Sequence, residues 1–223
     1  MDLKTFIHDN KSLINDRDFN KVFENIRYAD LAAQLIHLLM THDINPVEVA
    51  FQKDSKAHWF LLNIYLKSYS ISKFVVPSNV TEIEPRSFDN VSTLKSLDLS
   101  DTQIELLQKE TVRFCYNLEE IWLPSKLKKI DSEAVIGPNN LQQIIFPDSC
   151  ETIMSRAFAD CNRVKKVYLP NSLKKFNTSS VVGHAMTPQK LEYIYDGPNQ
   201  EIKEKALADN QRRAGLSKKK KTV

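Results

Sequence analysis

Imidazoles, thiols and hydroxyls are the side chains of this 223-residue sequence that could do metal or covalent chemistry, and their spacing argues against both. The five histidines, His8, His37, His42, His58 and His184, form no His-x-x-x-His or Glu-x-x-His pair. No Cys/His spacing suits a tetrahedral zinc site. His37 lies inside an apolar stretch as a helix histidine. His42 closes that stretch, where a partly charged imidazole suits a helix C-terminus. Ser78, Ser125, Ser149 and Ser172 recur beside prolines and suit turns. There is no Gly-x-Ser-x-Gly elbow, phosphate loop or dinucleotide fingerprint, and four glycines leave little material for one. The expectation is a non-catalytic chain with no catalytic residue, no metal ligand and no cofactor.

Two further groups invite a functional reading. Cys115, Cys150 and Cys161 are an odd number of thiols behind an N-terminus without a basic region and apolar run, which predicts reduced cysteines in a cytoplasmic protein. Residues 201–223 carry eight Lys/Arg against three Asp/Glu, a charge of +5, while the rest of the chain sums to −2. The tail residues Arg212, Arg213, Lys218, Lys219, Lys220 and Lys221 could contact an anionic partner such as nucleic acid. No aromatic residue interleaves them, so such binding would be electrostatic and salt-sensitive. A solvated terminus is the plainer reading. No apolar run approaches the roughly 20 residues of a membrane span.

The elements that must carry any site are set by an internal repeat. Phe74-Val75-Val76-Pro77, Leu97-Asp98-Leu99-Ser100, Ile121-Trp122-Leu123-Pro124, Ile144-Ile145-Phe146-Pro147 and Val167-Tyr168-Leu169-Pro170 follow one another at steps of 23, 24, 23 and 23. Other apolar columns keep the same step. They are Val80, Ile104, Leu127, Cys150 and Leu173; Ile83, Leu107, Ile130, Ile153 and Phe176; Leu94, Leu118, Leu141 and Val164; and Phe88, Val112, Val135 and Phe158. One such unit cannot bury its own apolar side chains, whereas stacked units bury them as ladders against their neighbours. Each unit is expected to hold a strand, a second extended piece and a helical turn around the Phe88 column. Cys115 and Cys161 share a column two units apart, and two strand steps of about 4.8 Å exceed the span of a disulfide.

Side chains alternate along a strand, so the residue between two inward positions points out. That outward column reads Val75, Asp98, Trp122, Ile145, Tyr168 and Tyr195. Its neighbour two residues earlier reads Lys73, Ser96, Glu120, Gln143, Lys166 and Tyr193. An outward row rich in apolar and aromatic residues marks an interaction surface. The competing reading is that such residues simply suit a pleated sheet. The expected partner contacts are Val75, Trp122, Ile145, Tyr168, Tyr193 and Tyr195, with Glu120 and Lys166. Trp122, Ile145 and Tyr168 would stand about 5 Å apart as one patch.

Units such as Val167-Tyr168-Leu169-Pro170-Asn171-Ser172-Leu173-Lys174-Lys175-Phe176 and Ile153-x-x-x-Ala157-Phe158-x-x-Cys161 resemble the BspA-like leucine-rich repeat family. The resemblance covers roughly residues 64–197. Three units depart from its pattern. Ser100 replaces a proline, Pro138 stands in the cysteine column, and Val167 to Ile194 spans 27 residues. The resemblance implies a leucine-rich-repeat solenoid with a protein partner, since family members are mostly surface adhesion or interaction proteins.

Residues 1–63 read as a helical N-terminal cap or a separate docking domain. Phe19, Val22, Phe23 and Ile26 have helical spacing, Ala29 to Met40 is apolar on more than one face, and Asn45-Pro46 starts a further helix. This leader resembles those before BspA-like repeats in some bacterial and phage proteins. The expected architecture is an α+β repeat protein. A helical N-terminal region over 1–63 precedes a short right-handed solenoid with a parallel sheet over 64–197. A short helix and basic tail over 198–223 complete it. Its expected function is protein–protein interaction, with a nucleic-acid-associated or virion/assembly role through the tail as the alternative.

Overall fold

The computed structural model describes residues 62–182 and 191–219 apart from 64 and 68, with side chains described as far as residue 214. The helices expected over residues 1–61 lie outside the described residues. The chain divides into two units, 1–71 and 72–223. At the end of the first, Leu62, Asn63 and Tyr65–Lys67 are helical. This helical segment closes on Ser70, whose φ is 49°. The Ile71 amide donates to the Leu66 carbonyl (3.0 Å) and the Ser70 amide to that of Lys67 (3.2 Å), the paired bonds of a Schellman stop.

The second unit is a solenoid of about five coils whose three sides are built of stacked, short parallel strands. One side stacks β1 (Lys73–Val75), β3 (Ser96–Asp98), β6 (Glu120–Trp122), β9 (Gln143–Ile145), β12 (Lys166–Tyr168) and β13 (Glu192–Ile194). A second stacks β4 (Leu106–Leu107), β7 (Lys129–Ile130) and β10 (Thr152–Ile153), and continues through a bridge from Thr152 to Lys175. The third stacks β2 (Phe88–Asp89), β5 (Val112–Arg113), β8 (Val135–Ile136) and β11 (Phe158–Ala159), with a bridge from Phe158 to Val181. The apolar columns read from the sequence are the interior. Ile104, Leu107, Leu118, Leu127, Ile130 and Leu141 are fully enclosed, and Phe158 meets Phe146 edge-to-face at 5.7 Å.

The third side corrects one expectation. The Phe88 column is a row of two-residue strands, where a helical turn was expected. The backbone explains why. Arg86, Glu110, Glu133 and Arg156 precede these strands with φ of 57–66°, and Asn90, Phe114, Gly137 and Asp160 follow them with φ of 54–86°. Left-handed residues on both flanks leave no consecutive right-handed run from which a helical turn could grow. The left-handed pair recurs in four successive coils, and its residues bond coil to coil. Glu110 donates its amide to Glu133 (2.7 Å) and Phe114 to Ile136 (2.8 Å).

Charged side chains outside the coils also stack. Lys128 meets Glu105 at 2.7 Å, Lys174 meets Glu151 at 2.8 Å, and Glu133 lies between Lys109 (3.2 Å) and Arg156 (3.3 Å). Those two cations hold the Glu133 carboxyl below its ordinary range.

Helix α1 (Gln200–Lys219) closes the C-terminal end and is longer than the short helix expected. Asn199 caps it, its side chain accepting from the Ile202 amide at 3.3 Å. Ile202 and Ala206 are buried beside β13. The Asn210 amide then completes the edge strand. Its oxygen accepts from the Tyr193 amide and its nitrogen donates to the Tyr193 carbonyl, both at 2.9 Å. Among the described residues no helix is long and apolar enough to cross a membrane.

Candidate interaction face

The outward row on the first side stands partly as expected. Val75 is 64% exposed, Trp122 46% and Ile145 57%, while Tyr168 is half-buried. Their positions follow from the ladder. Phe74, Leu97, Ile144 and Val167 turn inward, so the residues after them must turn outward. Val75 pairs with Asp98, Asp98 with Trp122, and Ile145 with Tyr168. Asp98 is held by its own turn, accepting from the Ser100 hydroxyl (2.7 Å) and amide (2.9 Å). Glu120 and Lys166 are exposed in the row beside them.

Tyr193 and Tyr195 do not belong to this face. Val167 pairs with Tyr193 and Tyr168 with Ile194, so the last repeat is 26 residues long rather than 27, and the alternation shifts by one. Both tyrosines therefore turn inward, with exposures of 3% and 7%. Ile194 and Glu192 take the outward places. Tyr193 packs edge-to-face on Phe176 at 5.0 Å and donates its hydroxyl to the Thr178 carbonyl at 2.7 Å. Burial pushes its phenol pKa well up. The Tyr195 ring lies so close to Gly197 that a Cβ there would fall 2.4 Å from it. A tyrosine at an inward position differs in sequence from an outward one only through the register, and the masking of that register by a longer loop is why the sequence misplaced them.

The row is also divided. β1, β3 and β6 form one sheet and β9, β12 and β13 another. In adjoining coils Leu99 donates its amide to Trp122 and Phe146 to Tyr168, and Glu119 donates to Lys95 and Lys165 to Gln142. Among the described residues the equivalent rungs, Leu123 to Ile145 and Gln142 to Glu119, are not made. Most Cα pairs between β6 and β9 are more than 8 Å apart. The expected patch of Trp122, Ile145 and Tyr168 is thus a pair, Ile145 and Tyr168, with Trp122 on the far lip of a cleft of about 900 Å³. The other two sides run through unbroken, from Leu107 to Ile130 to Ile153 and from Val112 to Val135 to Phe158. Pro138 stands in this coil without an amide hydrogen to give, where in the next coil the equivalent Cys161 amide bonds across to Val182 at 3.1 Å.

The basic end is less free than a tail. Asp209 is buried and pairs with both Arg212 and Arg213. Arg213 also lies over the Tyr193 ring, 5.9 Å from its centre. Lys218 and Lys219 are the last residues of α1, their side chains outside the description, and Lys220 and Lys221 lie outside the described residues. All five histidines lie outside them too. Cys115, Cys150 and Cys161 are buried and joined in no disulfide. Burial raises the Cys150 thiol to about 11 and that of Cys161 further. Among the described residues no group of three His, Cys, Asp or Glu side chains gathers as a metal set.

Stacked 23-residue coils with three parallel sides and inward leucine ladders define a leucine-rich-repeat solenoid. Residues 62–185 match the model of the BspA type leucine rich repeat region in six copies, and the chain belongs to that family. Among solved structures it is similar to a leucine-rich-repeat protein of T. pallidum, at 24% identity and a TM-score of 0.45 over 55% of this chain and 57% of that one. It is also similar to a leucine-rich-repeat protein of Bacteroides ovatus, at 23% identity and a TM-score of 0.44 over 60% and 40%. A third is a leucine-rich cell surface protein of Faecalibacterium prausnitzii, at 18% identity and a TM-score of 0.39 over 61% and 35%. The chain spans less than two thirds of each of these proteins. Comparison with curated proteins returns no match.

Proposed function

We propose that this chain is a non-catalytic protein–protein interaction module that binds its partner through the outward strand row. The observation that carries this is the exposure of Val75, Trp122 and Ile145 along one side of the solenoid, where water alone would favour polar side chains. Trp and Tyr are the residue types in which interface energy concentrates. Glu120, Lys166 and Glu192 rim the row with charge of both signs, suited to selecting a partner more than to holding it. The three buried thiols suit a reducing compartment such as the cytoplasm.

The rival use of the basic end is weakened by Asp209, which neutralises part of the charge of Arg212 and Arg213 and leaves Lys218 to Lys221 as its substance. Retention of protein partners on the immobilised chain separates the two. A Trp122→Ala/Tyr168→Ala variant loses them, while a variant with Lys218 to Lys221 changed to Gln keeps them. Retention survives high salt, because an apolar row resists screening and a lysine cluster does not. Loss of retention in the lysine variant alone, together with salt sensitivity, would move the site to the tail.

A further inference from the structure

We infer that the cleft between β6 and β9 is a receptor for one extended peptide strand, which inserts between the two and completes the divided sheet. The inference rests on the interaction-face reading and names the form of the partner. Three observations carry it. The first is the pair of open edges. The Leu123 amide and Ile145 carbonyl, and the Gln142 amide and Glu119 carbonyl, are the groups that adjoining coils use as rungs, and among the described residues they make no such bond here. An extended segment bonds such groups from both sides at once, as in other strand additions.

The second is room. One inserted strand needs two ladder spacings, about 9.6 Å, and the cleft of about 900 Å³ is lined along both strands, by Glu120, Ile121 and Trp122 on one side and Gln143 and Ile145 on the other. Ile121, half-buried where Leu97 and Ile144 are enclosed, offers an apolar floor to the inward side chains of such a segment. Trp122 and Ile145 flank its outward side chains. The third is charge. Exposed Glu119 and Glu120 form one lip at the leading end of the strands, and the other carries Gln142 and Gln143 with Arg163, whose guanidinium donates to the Asn140 side chain at 2.9 Å. A Lys or Arg at the start of the inserted segment meets that acidic lip, as Lys95 does at 4.0 Å from Glu119 on the paired side. The occupant is therefore a parallel extended peptide, basic at its leading end and apolar at alternate positions after it.

The probe is a labelled synthetic peptide copying residues 165–169 of this chain, which has that pattern, with an analogue methylated on its backbone nitrogens. Both are titrated into the full-length protein while amide exchange is followed residue by residue. The expected result is binding of the plain peptide, slowed exchange at the Leu123 and Gln142 amides, and at least about tenfold weaker binding of the methylated analogue. Glu120→Lys weakens the plain peptide by a similar factor. Protection confined to β1 or β13, equal binding of the two peptides, or no binding would each overturn strand insertion. Equal binding that is lost with Trp122→Ala would overturn it while leaving the interaction face itself standing.

Discussion

Trp122 and Phe158 occupy comparable strands and differ in the direction they point, so the same truncation should have opposite consequences in them. Phe158 is fully enclosed and rests on Phe146, and Phe158→Ala should cost about 3–5 kcal/mol through lost burial and the cavity left behind. Trp122 is nearly half exposed on the lip of the cleft, and Trp122→Ala should cost within about 1 kcal/mol. Chemical denaturation of the two variants tests this, and equal losses would mean that Trp122 is a packing residue. The thiols give a second check at this scale. With Cys150 raised to about 11 and Cys161 higher, little thiolate exists near neutral pH. Thiol titration should find slow groups in the native protein and three fast ones in denaturant, and a fast native thiol would contradict their burial.

Helix α1 is the element whose importance the sequence understated. Its polar composition suggests a dispensable tail, yet Ile202, Ala206 and Asp209 are buried, and Asn210 supplies both bonds that the Tyr193 backbone would otherwise lack. Removing residues 200–223 should lower the melting temperature and expose β13 as an open edge prone to pairing with another chain. Asn210→Ala alone should cost about 1–3 kcal/mol, because it strands a donor and an acceptor of β13. An unchanged melting temperature in the truncated chain would show that the edge needs no cover. The charged rows between coils make a smaller contribution. Glu133 titrates below its ordinary range beside Lys109 and Arg156. Its share of stability is present above the unfolded carboxylate pKa and is lost as pH falls through the lowered folded value. Glu133→Gln should therefore flatten the acid limb of the stability profile, slightly, since the pair is solvent-facing.

Across the whole molecule, what the sequence discloses is what repeats. The step of 23 places Leu107, Ile130 and Ile153 in one ladder, and periodicity alone is enough to find them, because large apolar side chains recur there coil after coil. The outward positions of Val75, Trp122, Ile145 and Tyr168 follow from the same alternation. The departures were visible as oddities without a legible meaning. Pro138 stands out in the cysteine column, but the opening of the sheet between β6 and β9 depends on how two neighbouring coils settle, a balance that one residue type does not encode. The longer last loop hides where β13 regains register, and one residue of slip moves every side chain to the other face, which is how Tyr193 and Tyr195 came to be placed outside. Asn210 gave no signal at all, since its partners are backbone groups 17 residues away.

The central claim is that the outward strand row recognises a protein partner, and the most direct test is to measure stability and affinity together in Trp122→Ala. With a partner retained by the intact chain in hand, its dissociation constant and the melting temperature are compared between wild type and variant. Loss of about 2 kcal/mol of interface energy predicts roughly thirtyfold weaker binding, and an exposed position predicts a melting temperature within about 2–4 °C of wild type. A melting temperature that falls well beyond that range while the dissociation constant stays the same would contradict the account and place Trp122 in the packing of the coil.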